Sequence, residues 1–139
     1  MLKYQAVPYL AFNGNARQAL EFYKEVFEGE ITSIMLFGEA DFPTPPEAAE
    51  LVMHARFEKG NMQLMASDTF PGQTVEVGSN VSLMLEMESE EQIDTLYAKL
   101  SENGKVLMEL QDTFWNAKFG SVQDQFGVKW DLNYTKPQQ

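Results

Sequence analysis

Residues 5–67 spell out one strand, one helix and three further strands, and residues 80–134 spell out the same series again. The helices carry the match down to single positions. Gln18 and Gln92, Phe22 and Leu96, and Tyr23 and Tyr97 each stand 74 residues apart. A fixed offset with core character kept at both ends marks an internal repeat. This constrains the fold strongly. A helix packed on a four-stranded sheet covers one face and leaves the other for a partner or a ligand. Two such βαβββ modules side by side can curve into a half-open barrel, with alternate strand residues lining a pocket. The expected class is therefore α+β: paired βαβββ modules forming a curved mixed sheet around a cleft. The modules cover about 1–70 and 79–139 within one domain of 139 residues.

Local signals fill in this frame. Apolar alternation over Gln5–Phe12 predicts a strand, with Pro8 near its start or at a sheet edge. Asn13-Gly14 is a turn signal. A helix is predicted from Asn15 to about Glu28, because Ala16, Ala19, Leu20, Tyr23, Val26 and Phe27 recur on one helical face. Gly29 can stop it at positive φ. Glu30–Gly38 reads as a strand, and Glu39–Glu50, with three prolines, as a loop. Leu51–Glu58 and Asn61–Ser67 read as a hairpin turning at Lys59-Gly60. Thr69–Ser79 connects the halves. Asn80–Glu88 then reads as an apolar strand. Ser89-Glu90-Glu91-Gln92 is a capping box opening the second helix, whose buried stripe is Ile93, Leu96, Tyr97 and Leu100. Asn103-Gly104 ends it. Lys105–Gln111, Lys118–Gln123 and Val128–Tyr134 are strands, the last two joined by Asp124-Gln125-Phe126-Gly127.

Composition narrows the function classes. Hydrophobic residues make up 44% and aromatics 12%, enough for a core without staples. There is no cysteine, which removes disulfides, thiolate metal sites and cysteine nucleophiles. The net charge of −11 argues against nucleic acid or an anionic membrane as partner. The opening Met1–Gln5 lacks the apolar run of a signal peptide, and no apolar stretch is long enough to span a bilayer. A cytoplasmic location is expected.

Several stretches resemble a known family. Pro8-Tyr9-Leu10-Ala11-Phe12-Asn13-Gly14-Asn15-Ala16 followed by Glu21-Phe22-Tyr23 looks like the opening of PhnB-like proteins, a branch of the glyoxalase/bleomycin-resistance/dioxygenase (vicinal oxygen chelate) superfamily. Asp68 after His54-Ala55 is similar too. So are Phe114-Trp115 through Phe119-Gly120, and Asp124-Gln125-Phe126-Gly127-Val128-Lys129-Trp130. The resemblance spans nearly the whole chain. It implies the paired βαβββ fold, a homodimer, and in many members a divalent metal held by four inward residues, acting as a Lewis acid. Members include isomerases, lyases, dioxygenases and metal-free binding proteins. PhnB-like proteins are often labelled demethylubiquinone methyltransferases, yet this chain has no glycine-rich strand-to-helix loop for a nucleotide-like cofactor.

Carried over position by position, the metal ligands fall near Pro8, near Met65, near Asn80 and at Asp131. Only Asp131 offers a good ligand atom. The cofactor therefore stays open between a divalent metal and none. His54, Asp68 and Asp131 are the metal candidates, and with one histidine and no cysteine an oxygen-rich site for magnesium or manganese is favoured over zinc. His54, the only histidine, is also a candidate general base; by alternation it shares a face with Val52 and Arg56. Asp131, sharing a face with Lys129 and Asn133, is the second catalytic candidate. Tyr9, Trp115, Phe119, Lys129 and Trp130 are candidate ligand-binding residues, the aromatics as walls for a flat ligand. Each also has a plain reading as core or sheet surface. The expected function is binding of a small organic molecule in the cleft with an incomplete metal-ligand set. The alternative is a divalent-metal-assisted lyase, isomerase or dioxygenase with a rearranged site, and a dimeric scaffold is more remote.

Overall fold

The computed structural model describes residues 5–138, and over them the chain divides into two units between Glu76 and Val77. Met1–Tyr4, which carry most of the N-terminal reading, lie outside the described residues.

The first unit contains β1 (Tyr9–Phe12), α1 (Ala16–Phe27), β2 (Glu30–Leu36), β3 (Val52–Lys59) and β4 (Met62–Asp68). Its sheet has the order β1-β4-β3-β2, with β1 parallel to β4 and the other pairs antiparallel. The second unit contains β5 (Leu83–Glu86), α2 (Glu90–Ser101), β6 (Lys105–Asp112), β7 (Ala117–Gln123) and β8 (Lys129–Thr135), in the order β5-β8-β7-β6. Here β5 runs parallel to β8 and the other pairs are antiparallel. The class is α+β, with two four-stranded mixed sheets and two α-helices among the described residues. The proline-bearing loop after β2 holds two short 3-10 turns, Phe37–Glu39 and Pro46–Ala48.

Strand register makes the repeat residue-specific. Leu10 opposes Ala66 as Leu85 opposes Leu132, and Tyr9 opposes Met65 as Met84 opposes Asp131. Arg56 opposes Met65 as Ser121 opposes Asp131. In each unit alternate residues turn toward the helix and their neighbours turn away.

The helix-side residues form the cores. All six residues of the expected α1 stripe are buried, against Phe57, Leu64 and Ala66 of the sheet. In the second unit Ile93 and Leu100 of α2 lie over Val122, Trp130 and Leu132, all fully buried. Each such large apolar side chain contributes about 1.5–3 kcal/mol. Leu96 and Tyr97, expected in the α2 stripe, are only partly buried.

The helix ends depart from the sequence expectation in one respect. The left-handed residue closing α1 is Glu28 (φ 54°), not Gly29. Gly29 is required for close approach: a Cβ there would lie 2.5 Å from Phe57 Cζ and 2.8 Å from the Glu58 carbonyl oxygen. The second unit repeats the device. Asn103 takes positive φ, and a Cβ on Gly104 would meet the Gln123 carbonyl oxygen at 2.3 Å. At the start of α2, Ser89 accepts from the Gln92 N–H at 3.1 Å, while the Gln92 amide oxygen accepts from the Glu88 N–H at 2.8 Å. The box therefore closes one residue upstream of its usual partner. The first and fifth strands are shorter than expected. Gln5–Pro8 precede β1, although the Pro8 carbonyl still accepts from the Met65 N–H at 2.9 Å.

Candidate functional site

The chemistry-bearing side chains lie on the sheet faces turned away from the helices, and each unit has its own set.

In the first unit this face carries Tyr9, His54, Arg56, Gln63 and Met65. The Tyr9 hydroxyl and His54 Nδ1 are 3.2 Å apart, with ring centroids at 5.8 Å. This couples a phenol to an imidazole across the sheet, an arrangement that can relay a proton. Arg56 follows His54 on the same face. Val52 does not: a register shift between Met35 and Leu36 interrupts the alternation, and Val52 turns into the core at 1% exposure. One strand irregularity thus corrects the face assigned by simple alternation.

A cavity of about 610 Å³ opens on this unit, lined by Gln5, Ala6, Val7, Arg56, Asn61, Gln63 and Met65. Arg56 and Gln63 were not singled out from the sequence as binding residues. The signal available there was parity along the strand, with His54 for Arg56 and with Met65 for Gln63.

Asp68 is corrected as a metal candidate. It ends β4 on the helix side and is 5% exposed. Oδ1 accepts the Ala16 N–H at 2.8 Å and Oδ2 accepts the Val52 N–H at 2.9 Å. Asn15, at the cap position of α1, makes no side-chain cap hydrogen bond. Asp68 supplies the acceptor instead, from 52 residues away, and its negative charge suits the helix N-terminus.

In the second unit the corresponding face carries Lys129, Asp131, Asn133, Ser121, Phe119, Met84 and Glu86. Asp131 Oδ2 accepts from Ser82 Oγ at 2.6 Å, and Oδ1 accepts from Ser121 Oγ. Both carboxylate oxygens are engaged. The Lys129 ammonium donates to the Gly78 carbonyl and holds the segment leading into β5. Glu86 Oε1 accepts from Asn133 Nδ2 at 2.8 Å, and Oε2 from the Thr135 N–H at 2.9 Å. Burial pushes the Glu86 carboxyl up, but hydrogen bonds from Asn133 and Thr135 together bring it below its ordinary value.

Trp115 lies in the turn between β6 and β7, half exposed, with Phe114 at 4.9 Å and Phe119 at 6.1 Å, both edge-on. Phe114 is 96% exposed. Trp130 is corrected as a wall. It is fully buried on the α2 side, and its indole Nε1 donates to Asp124 Oδ2 at 2.9 Å. The other Asp124 oxygen accepts from the N–H groups of Phe126 and Val128, so one carboxylate fastens both the turn and the indole.

The expected metal positions can be tested within each unit. Opposite Met65 stands Tyr9 rather than Pro8, and opposite Asp131 stands Met84. Asn80 lies ahead of β5. A phenol beside a thioether in the first unit, and a thioether beside a carboxylate already held by two serines in the second, do not fit a hard divalent cation. Among the described residues, no three histidine or acidic side chains converge as metal ligands.

These sheets and helices build the fold of the glyoxalase/bleomycin-resistance proteins. A glyoxalase/bleomycin resistance protein/dioxygenase domain from Frankia matches with a TM-score of 0.71 at 13% identity, over 100% of this chain and 96% of its own. Residues 4–133 match the family described as 3-demethylubiquinone-9 3-methyltransferase, and the chain belongs to that family. Protein YjdN of Escherichia coli is 30% identical over 141 residues, covering 94% of this chain and 95% of the relative. The crystal structure of protein PA1353 from Pseudomonas aeruginosa is 38% identical with a TM-score of 0.86, covering 97% and 100%. The PhnB protein from Bacillus cereus is 31% identical with a TM-score of 0.80, covering 94% and 99%. No helix among the described residues is long and apolar enough to cross a membrane.

Proposed function

We propose that this chain is a small-molecule-binding member of its family, taking an organic ligand on the sheet faces turned away from its helices. The cavity beside Arg56 carries the reading. Its volume of about 610 Å³ falls within the roughly 300–1,000 Å³ of small-molecule sites. Tyr9 is the aromatic candidate on the face of the first unit, Trp115 and Phe119 are those of the second, and Trp130 belongs to the core. The protein works in the cytoplasm as a homodimer. Exposed Val106, Leu107 and Met108 on the edge strand β6 support self-association. A ligand-observed NMR screen of neutral and charged small organics, followed by titration of hits against assigned amides, tests the binding. Hits that perturb Arg56, Gln63 and Met65 support it; a screen without a saturable hit on either sheet face overturns it.

A second reading is an acid–base enzyme, favoured by the Tyr9–His54 hydrogen bond. His54 then takes or gives the proton and Tyr9 orients it, with Asp131 as the other candidate. Turnover of a bound hit that disappears in His54→Ala supports this. Turnover that survives the change removes His54 from the chemistry. Methyl transfer, named in the family's description, draws less support. The turn before α1 has one glycine, and the helix N-terminus that could hold an anionic cofactor group already holds Asp68.

A further inference from the structure

We infer that the first-unit cavity selects ligands bearing a single carboxylate, which Arg56 anchors. The inference deepens the small-molecule reading and rests on it. Among the described residues four cationic side chains are partly buried, Arg56, Lys118, Lys129 and Lys136, and of these Lys129 donates to the Gly78 carbonyl. Among the described residues the ion pairs join Lys118 to Glu90 and Asp94, and Lys136 to Asp112. Arg56 is in none of them. Its backbone carbonyl accepts from Thr32 Oγ1, but its side chain has no hydrogen-bonded partner among those residues. Glu58, two residues along the strand on the same face, is outside the cavity lining.

Arg56 is partly buried in the middle of β3, opposite Met65. A guanidinium there has lost part of its hydration and meets no anion among the described residues in return. The missing partner is therefore external. The surroundings define its shape. Gln5, Asn61 and Gln63 offer amide donors, while Ala6, Val7 and Met65 offer apolar wall. A planar guanidinium binds a carboxylate through two parallel N–H···O bonds. The charge of the ligand follows from the same census. Among the described lining residues one cation stands among neutral amides, and it balances one negative charge. A phosphate dianion would keep an uncompensated charge inside a chain of net charge −11. The ligand is thus an organic monocarboxylate whose apolar part lies against Val7 and Met65.

The test uses the full chain with defined probes: benzoate, phenylacetate and hexanoate, each paired with its own neutral primary amide, and inorganic phosphate. Binding is read as saturable shifts of the Arg56, Gln63 and Met65 amides in two-dimensional NMR. At least one carboxylate binds, its amide binds about tenfold more weakly or worse, and phosphate does not compete at equal concentration. Arg56→Met removes the preference of acid over amide, and Arg56→Lys restores part of it. An unchanged melting temperature certifies that the variants fold. Equal binding of acid and amide, or a preference that persists in Arg56→Met, overturns the carboxylate assignment and leaves small-molecule binding standing. Stronger binding of phosphate overturns the monoanion choice. If no probe of either kind perturbs these amides at millimolar concentration, the cavity itself fails as a site.

Discussion

Asp68 receives the N–H of Ala16, the first residue of α1, on one carboxylate oxygen at 2.8 Å, while its other oxygen holds the start of β3 through Val52 at 2.9 Å. One buried side chain thus joins helix, strand β3 and strand β4. Asp68→Ala leaves two backbone donors without acceptors and should destabilise the protein by about 2–4 kcal/mol. Urea unfolding of the two proteins measures this. A change within about 0.5 kcal/mol, the ordinary surface range, would show that water replaces the carboxylate.

Gly104 gives a prediction free of electrostatics. A Cβ there would sit 2.3 Å from the backbone oxygen of Gln123, so the strand or the helix end must shift. Gly104→Ala should cost about 1–3 kcal/mol, seen as a lower urea midpoint. Gly72→Ala is the contrasting control. Nothing lies within 4 Å of its Cβ, and only its positive φ (90°) penalises the change.

The acid limb of the stability profile should depend on Glu86. Its folded carboxyl titrates below the ordinary value of 4.5. The group therefore contributes stability above that value, and the contribution is lost as pH falls through the lower, folded pKa. Glu86→Gln should flatten this part of the profile below about pH 5 and leave the slope near neutrality unchanged. Thermal melts across the acid range decide it. An identical acid slope in both proteins would remove Glu86 from the linkage.

Trp115 is half exposed, so Trp115→Ala should leave stability within about 0.5 kcal/mol. The same change should weaken a bound ligand by about 1–3 kcal/mol if the ring is a wall. A titration with a hit that perturbs the second-unit face, beside a melt, separates the two effects. Loss of stability without loss of affinity would return Trp115 to the core.

Divalent metal should not stabilise the protein through Asp131, whose oxygens Ser82 and Ser121 already hold. Magnesium or manganese should leave the melting temperature of wild type and Asp131→Asn unmoved. Stabilisation by either ion that disappears in Asp131→Asn, together with stoichiometric metal by elemental analysis, would reverse this.

Residues with short-range causes were legible in the sequence. The α1 stripe follows from 3.6-residue spacing, and all six positions are buried. The Ser89 cap follows from its own tetrapeptide. What escaped depends on partners distant along the chain. Asp68 looked free because its acceptor role is set by Ala16 and Val52, 52 and 16 residues away. Val52 was placed on the wrong face because a bulge leaves no mark in alternation. Gly29 and Gly104 were legible as helix ends, but their reason is the strand packed against them. Trp130 had a local clue in Asp124, six residues earlier, whose carboxylate holds its indole. Arg56 could not be ranked above other cations until its partial burial beside the cavity was visible.

The register of the two sheets also separates heredity from adaptation. Positions turned toward the helices keep apolar or small character in both copies: Leu10 with Leu85, Ala66 with Leu132, Phe57 with Val122. Positions turned away have diverged, with His54 matched by Phe119, Arg56 by Ser121 and Met65 by Asp131. Recognition can therefore drift in one copy without disturbing the fold of either. A protein engineer could rewrite the face around Arg56 for a new acid while the residues that fold the chain stay untouched on the reverse side.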